Sequence, residues 1–185
     1  MTSASALTKV KNRFNIPTAV TALDTIIASC VADAIDLLNG YAYVSGQATV
    51  AVVFDDTEFT VAANRKVTAL SFADGVNKPS TINEWYQKGT KVKLRTSLDG
   101  TITYDYDTPY DDTSLTDLPS EFNQPFLNTC YAEFAGFLAG DRAAYSEYAQ
   151  SAGARAVDNM RELAQFYEQK ADRQFAKVEV SEGAM

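Results

Sequence analysis

The chain has 185 residues, 46% of them hydrophobic, with a net charge of −8 and a pI near 4.5. That length suits one compact domain or one with a sizeable insertion, and an acidic surface repels nucleic acid, which excludes DNA clamping but not a surface past which DNA slides. The absence of histidine removes Ser-His-Asp and Cys-His nucleophile systems and most catalytic zinc sites.

Leu7, Val10 and Phe14 are spaced for a short helix over 4–14, with Lys9, Lys11 and Arg13 projecting elsewhere. The N-terminus lacks the basic-then-apolar order of a signal peptide. No run approaches the roughly 18 apolar residues of a membrane span. The expectation is a soluble chain made in a cytoplasm. Pro17 disfavours helix at Ile16. Thr18 or Thr21 is then placed to cap a second helix, whose apolar stripe is Leu23, Ile26, Ile27, Val31, Ala34, Ile35 and Leu38. Gly40 is its expected C-cap.

After Tyr43 the texture turns to β-rich runs: ATVAVVFDD, EFTVAA and KVTALSFADG. Trp85, the only tryptophan, is expected as a core or interface anchor. The clearest strand pair is TKVKLRTS with GTITYDYD, both strictly alternating. A three-residue loop Leu98-Asp99-Gly100 would pair Leu94 with Tyr104 and Val92 with Tyr106, and would set Lys93 against Asp105 and Lys91 against Asp107. Gly100 would then take the left-handed position of a bulged type I turn.

The polar connector from Asp107 to Asp117 leads back to helix. Phe122, Phe126, Cys130, Phe134 and Leu138 recur every fourth residue, from a start near Asn123 to an end at Gly140. The stretch from Asp141 to Phe175 reads as one long helix of about 45 Å. Its small residues Ala149, Ala152, Gly153 and Ala156 are expected to let a helix of another subunit approach closely. Residues 176–185 have no helical stripe and are expected as a mobile tail. Cys30 and Cys130 read as buried, reduced thiols, with a disulfide between them as the less favoured alternative.

Helices, then strands, then helices means an α+β fold. The expected architecture is an antiparallel helical bundle with one core, built from 1–46 and 114–175, with an inserted antiparallel β-domain over 47–113.

Nine acids and no base lie between Arg95 and Arg142. DYDTPYDD suggests calcium, but it lacks the Asp-x-Asp-x-Asp-Gly order and terminal Glu of an EF-hand. A solvated acidic face, lining a channel, is the preferred reading, with no metal and no cofactor. Asp55, Asp56 and Glu58 are further acids that an enzyme of the glycosidase type would need in pairs. No glycine-rich nucleotide motif occurs. Ten tyrosines, with Tyr41, Tyr43, Tyr104, Tyr106 and Tyr110 in or beside the β-block, suit half-buried strands or protein contact.

The segment Leu7–Val44 resembles the opening of phage head-to-tail connector adaptors. In that family a Leu-x-x-Val-Lys helix leads to a Thr-x-x-x-Asp start and a helix that ends at a Gly-aromatic step. Those places are held here by Leu7, Val10, Lys11, Thr21, Asp24, Gly40 and Tyr41. LPSEFNQPFLNTCYAEFAGFLAGD is similar to the Leu-Pro-led helix that follows the strands in adaptors of short-tailed phages. The β-block is larger than in the smallest connectors, and the arginine that usually follows the Gly40 position is absent. The resemblance implies a homo-oligomeric ring, commonly of twelve subunits, placed in the virion neck after assembly in the host cytoplasm. The ring sits between the portal protein and the tail or nozzle protein and extends the channel through which DNA passes. It also implies a portal-binding C-terminal segment, carried onto Phe175, Val178, Val180 and Met185. The alternative is a soluble module that grips a protein or glycan through the Tyr-rich β-domain.

Overall fold

The computed structural model describes residues 1–53, 56–73 and 80–182, with side chains as far as Val178. The fold is α+β, and the chain divides into two compact units: residues 1–42 with 110–185, and residues 43–109.

The first unit is helical. It contains α1 (Ser3–Arg13), α2 (Asp24–Leu38), α3 (Asn123–Gly140), α4 (Arg142–Ala152) and α5 (Met160–Glu182). Thr2 caps α1 by accepting a hydrogen bond from the Ser5 amide. The expected threonine caps do not hold α2; instead Lys11, buried at the end of α1, forms an ion pair with Asp24 in the first turn of α2. The Lys11 ammonium also donates to the carbonyls of Thr18 and Val20, so one cation fastens the whole α1–α2 turn. Lys11 was expected to project away; its four-carbon stem lets it be buried while every donor finds oxygen.

At the other end of α2, Asn39 takes the cap expected of Gly40. Its side-chain oxygen accepts from the Tyr110 amide at 2.6 Å and its amide donates back to the Tyr110 carbonyl at 3.1 Å. An asparagine side chain can serve both backbone groups, which glycine cannot.

α3 packs against α1, α2 and α5. Its stripe Phe126, Cys130, Phe134 and Leu138 is fully buried. Phe14 meets Phe134 edge-on at 4.9 Å between centroids. The buried Asn128 donates to Gln174 at 2.6 Å, joining α3 to α5. Both cysteines are free and buried, and burial pushes the Cys30 thiol up to about 12 and raises that of Cys130. Among the described residues no helix is long and apolar enough to cross a membrane.

The expected 141–175 helix is broken. Asp141 caps α4 through the amides of Ala143 and Ala144. Gly153 ends α4 with φ +57, a conformation that L side chains rarely adopt, and a 3-10 turn follows over Gly153–Arg155. The Tyr148 hydroxyl then accepts from the Val157 amide at 2.9 Å, and Asn159 accepts from the Glu162 amide in the first turn of α5. The small-residue run therefore lies at a corner of the chain. Conversely, residues 176–182, expected as a mobile tail, continue α5.

Among its described residues the second unit has seven strands: β1 (Val44–Val52), β2 (Glu58–Thr60), β3 (Lys66–Ala73), β4 (Ser80–Thr81), β5 (Trp85–Lys88), β6 (Lys91–Leu94) and β7 (Gly100–Thr108). One sheet has the order β1-β7-β3-β4 and the other β2-β6-β5. The predicted hairpin between 91–96 and 101–107 does not form. β6 pairs with β2 and β5, whereas β7 lies between β1 and β3. Val92 and Leu94 still share a core with Ile102 and Tyr104, because the inward faces of both sheets meet in one cluster. Two alternating strands satisfy the same hydrophobic demand across a sandwich as within a hairpin. Lys91 and Lys93 pair with Glu58, while Asp105 and Asp107 accept from Gln47 and Ser45. Gly100 is not the left-handed residue of a turn. It opens β7 at φ +150, where a Cβ would stand 2.6 Å from the Ala73 carbonyl. Trp85 packs on the edge of this core, as expected.

Candidate functional site

The feature of the helical unit that its own core does not explain is a trough between α2, α3 and α5, with a volume of about 300 Å³. Helical spacing builds each wall. From α2 and the turn after it come Leu37, 50% exposed, and Tyr41, 38% exposed. α3 contributes Ala132, Glu133 and Gly136, one turn apart along the helix. α5 contributes Ala164, Glu168, Ala171 and Asp172, with Phe175 at one end, stacked on Tyr41 at 4.2 Å and 5° between planes. The floor is small and apolar, and three carboxylates line the trough without a base among its residues. A Cβ on Gly136 would meet nothing within 4 Å, so no contact inside this chain demands glycine there.

The carboxylates feel one another. Burial raises the Glu133 pKa, and the charges of Asp33 and Glu168 raise it further. Among the described residues, no base forms an ion pair with the carboxylates of the trough.

No family model matches the chain, and no curated protein matches it either. Solved structures similar to it include a chain of the neck of an empty GTA particle computed with C6 symmetry, at 16% identity over 87% of each chain with a TM-score of 0.34. Another is a chain of the neck of a native GTA particle computed with C12 symmetry, at 19% identity over 90% of this chain and 91% of that one, with a TM-score of 0.29.

The residues singled out from sequence fall in several places. Phe175 is 2% exposed, with its ring against the exposed Tyr41 on one side and the buried Phe122 on the other; Val178 is buried as well. Val180 and Met185 lie outside the described side chains. Ala152 is buried at the end of α4, Gly153 is the exposed chain reversal, and Ala149 and Ala156 are half-buried on either side of it. These four do not form one helix face, because the helix stops between them.

Of the tyrosines of the β unit, Tyr104 and Tyr106 are engaged in packing, whereas Tyr43 and Tyr86 are exposed. Tyr104 is buried, and Tyr106 covers Gly46 with the Arg65 guanidinium 3.9 Å from its ring centre. Among the described residues no group of three His, Cys, Asp or Glu side chains could hold a metal ion. In the DYDTPYDD stretch, Asp111 instead accepts from Thr113 and Ser114, which lowers its pKa to about 2. Asp56 accepts from the Val53 amide, and Asp55 lies outside the described residues. The trough itself was missed in sequence. Its one readable signal was Leu37, an apolar residue outside the main stripe of α2.

Proposed function

We propose that this protein is a structural, non-catalytic adaptor of a phage neck, forming a ring that joins the portal to the tail or nozzle and extends the DNA channel. The resemblance of Leu7–Val44 and Leu118–Asp141 to connector adaptors carries this reading. The burial of Lys11 against Asp24 supports it, since two residues that hold the family's motif places depend on each other for charge. A passive conduit also agrees with net charge −8, because like charge keeps DNA from adhering. Attachment to the portal falls to the residues after Val178, with Val180 and Met185 among them.

The test is imaging of the full chain mixed with the portal protein of the same particle. Ring-shaped complexes on the portal are expected, and their absence overturns the reading. Removing residues 179–185 should weaken attachment at least tenfold. Unchanged attachment refutes the C-terminal assignment alone.

A further inference from the structure

From Glu168 to Lys177, α5 carries its charges on two separate faces; in its first turn Arg161 falls on the side of Glu168 and Asp172, and Glu162 on the side of Phe166 and Lys170. Glu168 and Asp172 border the trough. Phe166, Lys170, Arg173 and Lys177 follow at i, i+4, i+7 and i+11, which puts them on a common face turned away from that border. All four are exposed; Phe166 is 55% exposed, with the Lys170 ammonium 5.9 Å from its ring centre. Among the described residues, none of the trough carboxylates and none of these three bases forms an ion pair. The protomer therefore displays an acidic trough with an apolar floor and, elsewhere on the same helix, a basic stripe headed by an aromatic ring.

We propose that the trough receives the α5 stripe of a second copy of this chain, with Phe166 entering over Gly136 and Lys170, Arg173 and Lys177 meeting Glu133, Glu168 and Asp172. Each side supplies what the other lacks. The open space above Gly136 admits a ring, exposed Leu37 and Tyr41 flank it, and three bases face three acids. The two surfaces are different faces of one protomer, so the contact is heterologous and repeats from copy to copy, closing as a ring or running on as a filament. The pairwise contact stands on the charge and shape of this chain; only its closure into a ring rests on the neck reading.

The experiment is sedimentation of the full chain at low and high salt. Wild type should self-associate at low salt and weaken as salt rises. Two charge variants, Glu168→Lys/Asp172→Lys and Lys170→Glu/Arg173→Glu/Lys177→Glu, should each lose association by about 100-fold or more, since like charges then face each other. Mixed together, they should associate again, because each restores the other's complement. Gly136→Leu should block association without a charge change, and an unaltered far-UV spectrum checks its fold. A wild type that stays monomeric at low salt, charge variants that associate like wild type, or a mixture that does not recover would overturn the proposal. Portal-bound rings that persist in both charge variants would also overturn it while leaving the neck role standing. Salt-sensitive self-association without portal complexes would do the reverse.

Discussion

The helical and β units treat their surface charge differently. On the β unit the acids of the outward strand faces are held locally: Asp105 by Gln47, Asp107 by Ser45, and Glu58 by two lysines. In the helical unit Lys11 and Asp24 neutralise each other in the interior, yet Glu133, Glu168 and Asp172 crowd one trough beside exposed Leu37 and Tyr41. A sheet sets cross-strand neighbours face to face and so pairs its polar groups as it forms. A helix face pairs only with what packs on it, and this one is left for another molecule. In its strand charges the β unit is paired within itself, although Tyr43, Val53 and Tyr86 stay exposed on it; the trough carboxylates of the helical unit are not paired among the described residues.

The largest effect on that contrast is expected at Lys11. Lys11→Met leaves Asp24 without its cation and two carbonyls without their donor, at a cost of about 2–4 kcal/mol. Urea denaturation followed by far-UV signal measures the loss in the helical unit. Fluorescence of Trp85, which lies in the β unit, reads the other. A change under 1 kcal/mol in the helical transition would mean that the pair is not what closes the α1–α2 turn.

Two glycines should then move stability in opposite directions. Gly100→Ala forces a Cβ against the Ala73 carbonyl and should destabilise the β unit by about 1–3 kcal/mol, seen in the Trp85 transition. Gly136→Ala meets open space on an exposed helix face and should stabilise the helical unit by up to about 1 kcal/mol. If Gly136→Ala destabilises instead, the space above Gly136 is filled within the chain and the trough is not open.

The smallest effect tests the trough charge. Below the ordinary glutamate value, Glu133 is protonated whether folded or unfolded and contributes no difference. As pH rises through its raised folded pKa, ionisation is penalised in the folded state and stability falls. Glu133→Gln should therefore raise the melting temperature near pH 7 and leave it unchanged near pH 4. Equal shifts at both values would show that charge crowding is not the cause.

Period and punctuation in the residues were enough for α1, α2 and α3, since a stripe at 3.6-residue spacing has one way to be buried. The α+β class followed from the order of elements alone. The corner at Gly153 was harder to see, because alanines on either side favour helix and only the +57 φ of the folded chain reveals the break. The trough needed three helices to meet, so no local pattern announces it. Val178 read as a tail residue because 176–185 shows no helical stripe, yet α5 runs on and buries it.

The sequence by itself determined where α1, α2 and α3 run, that strands lie between α2 and α3, and which strand faces point inward, because backbone periodicity and side-chain alternation are local properties. Only the tertiary structure decided which strands pair, where Lys11 finds its anion, and that Glu133, Glu168 and Asp172 border one trough. Those outcomes depend on groups far apart in the chain competing for the same partners, and alternation in β6 and β7 is equally satisfied by a hairpin or by two facing sheets.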